Sequence, residues 1–218
     1  FHRVYQLCNQ FCSVTLSAAY HDILKDRLYT LGASQPQRRS SQTAIHHIFD
    51  ALVKLLAPVL CFTADEAWSY RTSGEEYIDD SVHLQDWPGA PEEWSDETIA
   101  ADFGVLLRVR SLVNERIEPA RQAGTIGKSL DASITLQLAS DDPAHAALAK
   151  HLEFLPELFI VSQVTLDVKP DTVLDVSVST GSESGLQRCP RCWRWVSKLL
   201  DATEGENTCP RCTTALNS

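Results

Sequence analysis

Gly124-Thr125-Ile126-Gly127-Lys128-Ser129-Leu130-Asp131-Ala132-Ser133-Ile134-Thr135-Leu136-Gln137-Leu138 is where the hydrophobic period of this chain changes, and that change decides its fold class. Ahead of the stretch, apolar residues recur every three or four positions, the mark of helices that bury one stripe. Within it, Ile134, Leu136 and Leu138 alternate with Thr135 and Gln137, the period of a half-buried strand. Gly124 and Gly127 stand between the two regimes and mark the helix exit. Gly124 to Ser129 has the look of a phosphate-binding loop. That pattern, however, requires glycine five positions before Gly127, where Gln122 stands, with a strand before it and a helix after. Here the order is reversed, so the reading is a helix C-cap and tight turn, with Lys128 facing solvent or a phosphate.

Upstream, Val4, Leu7, Cys8, Phe11, Val14 and Ala18 form one stripe, continued by Leu24 and Leu28, so residues 1 to about 30 are expected to be a helix that ends at Gly32. A polar loop follows over residues 34–40. The next helix is expected from Ser40 or Ser41 through Ile45, Ile48, Phe49, Leu52, Leu55 and Leu56, stopping at or before Ala57 because Pro58 lacks an N–H and clashes with the turn before it. Thr63 and Glu66 have the spacing of a capping box for a further helix carrying Trp68. Residues 72–93 read as loop. Ser95 or Asp96 is placed to cap a long helix with Ile99, Phe103, Leu106, Val113 and Ile117 on its buried face. Pro119 lies inside that pattern, where an interior proline costs about 3 kcal/mol, so an end or kink is expected there.

Downstream, Asp142-Pro143 opens a helix through Leu148 and Leu152, and Val164-Leu166-Val168 and Leu174-Val176-Val178 alternate again. Residues 130–180 should thus be a small sheet with one covering helix, joined by a flexible Ser179–Gly185 linker to the chain's end. There the only internal repeat stands: Cys189-Pro190-Arg191-Cys192 and Cys209-Pro210-Arg211-Cys212, sixteen residues apart. This spacing suits a four-thiolate zinc site with no open position for water, hence a structural site. Two disulfides are the alternative. Cys8, Cys12 and Cys61 lie in apolar helical surroundings without evident partners and are expected to be buried free thiols, as in a reducing cytosol. Around the knuckles, Trp193 and Trp195 flank Arg194, with Arg188, Arg191, Lys198 and Arg211 nearby. Interleaved cationic and aromatic side chains suit phosphate contact and base stacking, while one of the two tryptophans is expected to cover the zinc site as miniature core.

The 218 residues carry a formal net charge of −10. Twelve acids against the single Arg71 fall between Asp65 and Asp102, leaving 18 basic and 17 acidic residues elsewhere. The acid is local and reads as a solvated face, so both ends are free to meet phosphates. No apolar run approaches the roughly 20 residues that span a bilayer, and no membrane partner is expected. Without a methionine anywhere, Phe1 is not an initiation site, and the chain is expected to be a piece of a longer protein or a processed chain. Adjacent His46 and His47 point about 100° apart on a helix and cannot face one target, so one should be core-adjacent and one exposed. No serine–histidine–acid set stands out, and paired acids such as Asp79-Asp80 and Glu92-Glu93 lack apolar cover. No catalytic residue is assigned.

Lys25-Asp26-Arg27-Leu28-Tyr29-Thr30, Gln42-Thr43-Ala44 and the run from Leu55 through Pro58 and Phe62 to Trp68 together resemble the anticodon-binding helical domain of class I aminoacyl-tRNA synthetases with aliphatic substrates. Arg108-Val109-Arg110 through Asn114, then Gly127-Lys128-Ser129-Leu130, fits the helix and junction that follow in that family, and the terminal cysteine pairs resemble the carboxy-terminal zinc knuckle of bacterial isoleucyl-tRNA synthetases. The resemblance covers nearly the whole chain and implies a mainly α fold. Residues 1–127 would be an anticodon-binding helical bundle, 128–180 a small α/β junction domain and 186–218 a four-cysteine zinc finger.

It also implies a tail that recognises the anticodon stem-loop of isoleucine tRNA, in the cytoplasm and as a monomer, and that serves a catalytic head of the same polypeptide. The ATP used to join isoleucine to its tRNA would be bound only in that head, since the family's His-Ile-Gly-His and Lys-Met-Ser-Lys-Ser segments are absent here. One structural zinc ion would be held by Cys189, Cys192, Cys209 and Cys212. The RNA would be met by Lys25, Arg27, Arg38 and Arg39 from the bundle, by Lys128, and by Arg191, Trp193, Arg194 and Trp195 from the zinc end. Two rivals remain at this stage. One is a DNA-binding module like the four-cysteine finger of base-excision glycosylases, although those have a strongly basic surface. The other is a protein-interaction module that zinc merely staples.

Overall fold

A computed structural model describes residues 1–71, 80–201 and 205–217. Helix dominates, with a three-stranded sheet, a two-stranded sheet and a cluster of four cysteines. The chain divides into two compact units, residues 1–35 with 97–218, and residues 36–96. The expected 1–127 bundle therefore draws residues from both.

In the larger unit the first helix is continuous as expected, but its hydrogen bonding changes along its length. α1 (His2–Gln10) passes into a π-helical stretch, Phe11–His21, and then into α2 (Asp22–Thr30). The wider turn of a π-helix shifts every side chain after it. The stripe expected to be buried does not run into the core, and it already fails ahead of the π-helical stretch, at Val4 and Leu7. Val4, Leu7, Phe11 and Val14 are exposed, whereas Leu16, Ile23 and Leu24 are buried. Cys8 and Cys12 are half-buried.

α5 (Glu97–Gln122) starts immediately after Asp96, as its capping pattern suggests. Leu106, Val109, Val113 and Ile117 form its buried face, while Ile99 at its start is exposed. Helix continues through Pro119 instead of ending there. The proline stands in the last turn, and its own carbonyl still accepts from Ala123 N at 2.9 Å. So near the end, a missing N–H interrupts little of the ladder. Gly124 then adopts φ +72°, the left-handed position that a helix exit favours for glycine.

The chain turns through Ser129–Asp131 into β1 (Ala132–Leu138), followed by α6 (His145–Lys150), α7 (Leu155–Leu158), β2 (Gln163–Val168) and β3 (Asp175–Thr180). β1 is central in the order β2-β1-β3, parallel to β2 and antiparallel to β3, with Ile134 opposite both Val164 and Val178. Ile134, Leu136 and Leu138 pack with the α5 face and with Leu148, Leu155, Leu158 and Phe159 in one core. The helix expected to open at Asp142-Pro143 begins later, at His145, with no side-chain cap; Asp142 accepts from Ala144 N at 2.8 Å in the turn before it. Across the surface of this unit, Asp102 of α5 accepts from Lys150 Nζ at 2.7 Å and contacts His151 Nε2 at 2.9 Å.

The smaller unit holds α3 (Pro36–Leu56) and α4 (Cys61–Ser69) around Val53, Ala57, Ala64, Trp68 and Val82. α3 starts four residues earlier than the polar loop suggested, because Pro36 is well suited to a first helical turn. It ends before Pro58, as expected. α4 begins at Cys61 with no side-chain cap, so Thr63 lies inside the helix and forms no capping box. Residues 80–93 are loop with a single turn at Val82–Leu84 and the start of another at Glu92–Trp94. Residues 72–79 of the expected loop lie outside the described residues. Cys61 is exposed, contrary to the expectation of a buried thiol. His46 and His47 are both exposed, and the His47 ring lies 4.9 Å from that of Trp94.

Candidate metal centre and nucleic-acid interface

Two short strands, β4 (Gln187–Arg188) and β5 (Trp195–Val196), pair antiparallel and bring the first knuckle into a tight turn. Cys189 N donates to Arg194 O, and Trp193 N to Cys189 O, both at 2.9 Å. The second knuckle opens α8 (Pro210–Leu216), with Pro210 in its first turn. Cys189, Cys192, Cys209 and Cys212 are all buried, and their Sγ atoms lie within 4.8 Å of one another. Cys192 and Cys209 sulfurs are 3.7 Å apart. With metal–sulfur bonds of about 2.3 Å, the sulfur–sulfur edge of a tetrahedron is about 3.8 Å, so the set fits one metal ion. The four thiols are free, which removes the disulfide alternative. Crowding drives the proton affinities of two of them, Cys209 and Cys212, apart. The hydrogen bond from Cys192 draws the Cys209 thiol well below its ordinary value, while Cys212 is pushed up by its bonds to Cys192 and Cys209 and by burial.

Neither tryptophan covers this cluster; Val196 and Leu199 pack against it instead. Trp195 is built inward. Its ring lies on buried Gly181, its Nε1 donates to Asp131 Oδ1 at 3.1 Å, and its N donates to Ser162 Oγ at 2.7 Å. Residues 179–185, read as a flexible linker, are an ordered turn for the same reason. Glu183 Oε2 accepts from both Thr180 N and Thr180 Oγ1, and Gly181 seats the indole. Trp193 is built outward. It is 49% exposed at φ +65°, a left-handed backbone that costs a bulky residue energy. Lys128 Nζ stands 4.1 Å from its ring centroid, a cation–π pair at the surface.

The arginines of the knuckles turn towards α2. Arg191 Nη1 donates to Thr30 O, and Arg194 Nη2 to Asp26 Oδ2 at 3.0 Å. Arg211 bonds Asp26 with both Nη atoms, the one to Oδ1 at 2.7 Å, and reaches Thr30 Oγ1 at 3.2 Å. Burial alone would raise the Asp26 carboxyl. The Arg211 hydrogen bonds and the charges of Arg194 and Arg211 outweigh it, holding the group below the usual carboxylate range. Asp26 and Thr30, one turn apart on α2, lie in a segment whose pattern stood out, but no role was assigned to them. A cluster of basic residues over 186–198 without a local acid is the signal that one was needed elsewhere.

The remaining sequence candidates fall into two groups. Arg27 pairs with half-buried Glu157 through Nε and stands 5.4 Å from the Phe154 ring. Burial raises the Glu157 carboxyl, against the opposing charge of Arg27. Lys25 is at the surface in an ion pair with Asp22 at 2.7 Å. In the smaller unit Arg39 is exposed and Arg38 half-buried, near the start of α3. Among the described residues, no helix is long and apolar enough to cross a membrane.

Residues 1–136 match the family described as the anticodon-binding domain of tRNA ligase. Across 99% of its length the chain is 41% identical to an isoleucine–tRNA ligase of Brachyspira hyodysenteriae, of which it spans 23%. It is 35% identical across 100% of its length to that of Natranaerobius thermophilus, spanning 24% of it. It is 38% identical across 99% to that of Syntrophotalea carbinolica, spanning 23%. The chain thus spans about a quarter of the length of the curated relatives it matches.

Proposed function

We infer from the premise that this chain belongs to the anticodon-binding domain family of tRNA ligases that it recognises the anticodon stem-loop of isoleucine tRNA within an isoleucine–tRNA ligase. The observation that carries this reading is the similarity to isoleucine–tRNA ligases across the full length of the chain, cysteine end included. The ligase would join isoleucine to its tRNA with ATP in the cytoplasm, in a catalytic head outside these residues. This chain would hold the RNA, with 1–127 as helical bundle, 128–180 as junction and 186–218 as zinc finger. Zinc is the ion proposed for the four thiolates. All four ligands come from the protein, so the ion would organise the knuckles and take no part in chemistry.

Unstacked loop bases are gripped by aromatic faces, cationic planes and edge hydrogen bonds. Trp193, outward and paired with Lys128, offers an aromatic face and a charge at one point. Lys25, Arg38 and Arg39 offer further charge for the phosphate backbone. Arg27, Arg191, Arg194 and Trp195 bond within the chain, so their part would be to hold the contacting surface in shape. A DNA reading draws no help from the acidic overall charge of −10.

The test is binding of labelled isoleucine tRNA against an anticodon-swapped control, at two salt concentrations, with and without a zinc chelator. Preference for the isoleucine anticodon, lost on chelation and weakened by salt through counterion release, is expected. Equal binding of both tRNAs by the metal-loaded chain would exclude sequence reading by these residues.

A further inference from the structure

Trp193 occupies a turn whose two flanks are both tied to one turn of α2. Arg191, two residues before it, bonds the Thr30 carbonyl, and Arg194, immediately after it, bonds Asp26. Arg211 of the other knuckle meets the same Asp26 carboxylate through both Nη atoms. Arg191 and Arg211 lie inside the two Cys-Pro-Arg-Cys knuckles, so each links the cysteine cluster to α2. Outer partners of this kind orient metal ligands. Two of the three arginines, Arg194 and Arg211, share a single carboxylate. The Asp26 side chain is only 19% exposed and also accepts from Thr30 Oγ1 at 3.1 Å.

We propose that Asp26 is a positioning residue for RNA recognition: by gathering Arg194 and Arg211 onto α2 it orients the metal knuckle so that the Trp193 ring stands outward beside Lys128. The proposal rests on the reading that Trp193 meets RNA. Metal binding alone fixes the cysteines relative to each other; the carboxylate fixes them relative to the rest of this unit. The expected sign separates this role from simple electrostatics. Neutralising Asp26 makes the surroundings more positive, which by itself would tighten RNA binding. Loss of affinity on neutralisation must come from lost orientation.

The test compares the zinc-loaded 218-residue chain with Asp26→Asn, Trp193→Ala and the double variant. Amide hydrogen exchange over 189–195, the absorption of the cobalt-substituted site, and affinity for the isoleucine tRNA anticodon stem-loop are measured for each. Asp26→Asn is expected to keep the cobalt spectrum, speed exchange at Trp193 and Arg194 at least tenfold, and weaken RNA binding about tenfold. The double variant is expected to bind no worse than Trp193→Ala, because residues acting through one contact are not additive. Wild-type exchange in Asp26→Asn, or additive losses on top of specific wild-type binding, would overturn the positioning role alone. Absence of any RNA binding by the wild-type chain would overturn it together with the function it rests on.

Discussion

Gly181 lies directly beneath the indole of Trp195: a Cβ built on it would stand 2.3 Å from Trp195 Cγ and 2.6 Å from Cδ2. The knuckle strand β5 can approach the sheet only because position 181 carries no side chain. Gly181→Ala should therefore displace the ring, break the Trp195 Nε1 bond to Asp131 and destabilise the larger unit by about 1–3 kcal/mol, the usual cost of overpacking. Urea denaturation of the metal-loaded chain measures this. An unchanged midpoint would mean that the indole has another seat.

Trp193 sets stability against function. Its φ of +65° suits glycine, and a bulky residue there costs on the order of 1 kcal/mol. Trp193→Gly should leave thermal stability unchanged or raised by up to about 1 kcal/mol. The same change should weaken RNA binding by roughly 5- to 150-fold, the loss of about 1–3 kcal/mol of base stacking. A variant that melts lower and binds RNA normally would contradict both halves.

Removal of the metal should unfold the carboxy-terminal knuckle and leave the sheet standing. Apart from the four cysteines, the cluster there has, among the described residues, only Val196 and Leu199 as apolar cover, too little to fold without an ion. In two-dimensional NMR, chelation should collapse the amide dispersion of residues 186–217 while β1 to β3 keep theirs. Dispersion retained at the knuckles would show a metal-independent fold.

Acid should undo the Asp26 contacts in a defined window. The folded-state pKa of Asp26 lies below its ordinary 3.8, so the stabilisation is fully present above about pH 4 and is lost as pH falls from 3.8 through the lower folded value. The stability difference between wild type and Asp26→Asn should be constant, at about 2 kcal/mol for charged hydrogen bonds, from pH 7 down to about 4, and shrink below that. Because metal loss would carry Arg194 and Arg211 away from Asp26 with the knuckle, the difference is read only on chains whose metal content is shown intact at each pH. A difference that grows on acidification would reverse the assigned sign.

Arg27 is placed to serve the fold. Its loss would leave Glu157 half-buried without its cation, so Arg27→Ala should cost about 2–4 kcal/mol in denaturation. RNA affinity, measured well below the variant's melting temperature, should change less than threefold. A larger loss would return Arg27 to the RNA-contacting set.

Local rules carried much of this protein. The switch to period two at Ile134, the exit at Gly124, the stop before Pro58 and the cysteine spacing within each knuckle all depend on residues two to five positions apart, and such interactions are written in the order of the residues. The burial of the first helix was not legible: Val4 and Leu7 keep the apolar spacing yet stay exposed, and beyond them the π-helical stretch Phe11–His21 changes which side chains share a face, which no spacing rule based on 3.6 residues per turn anticipates. Nor did composition tell Trp193 from Trp195. One stacks on Gly181, fourteen residues away, and the other stands beside Lys128, sixty-five away. Asp26 shows the limit most clearly: its partners lie 168 and 185 residues later. Only the packing of the knuckles against α2 brings those charges within hydrogen-bonding distance, and that packing is decided by the whole core, which no local stretch contains.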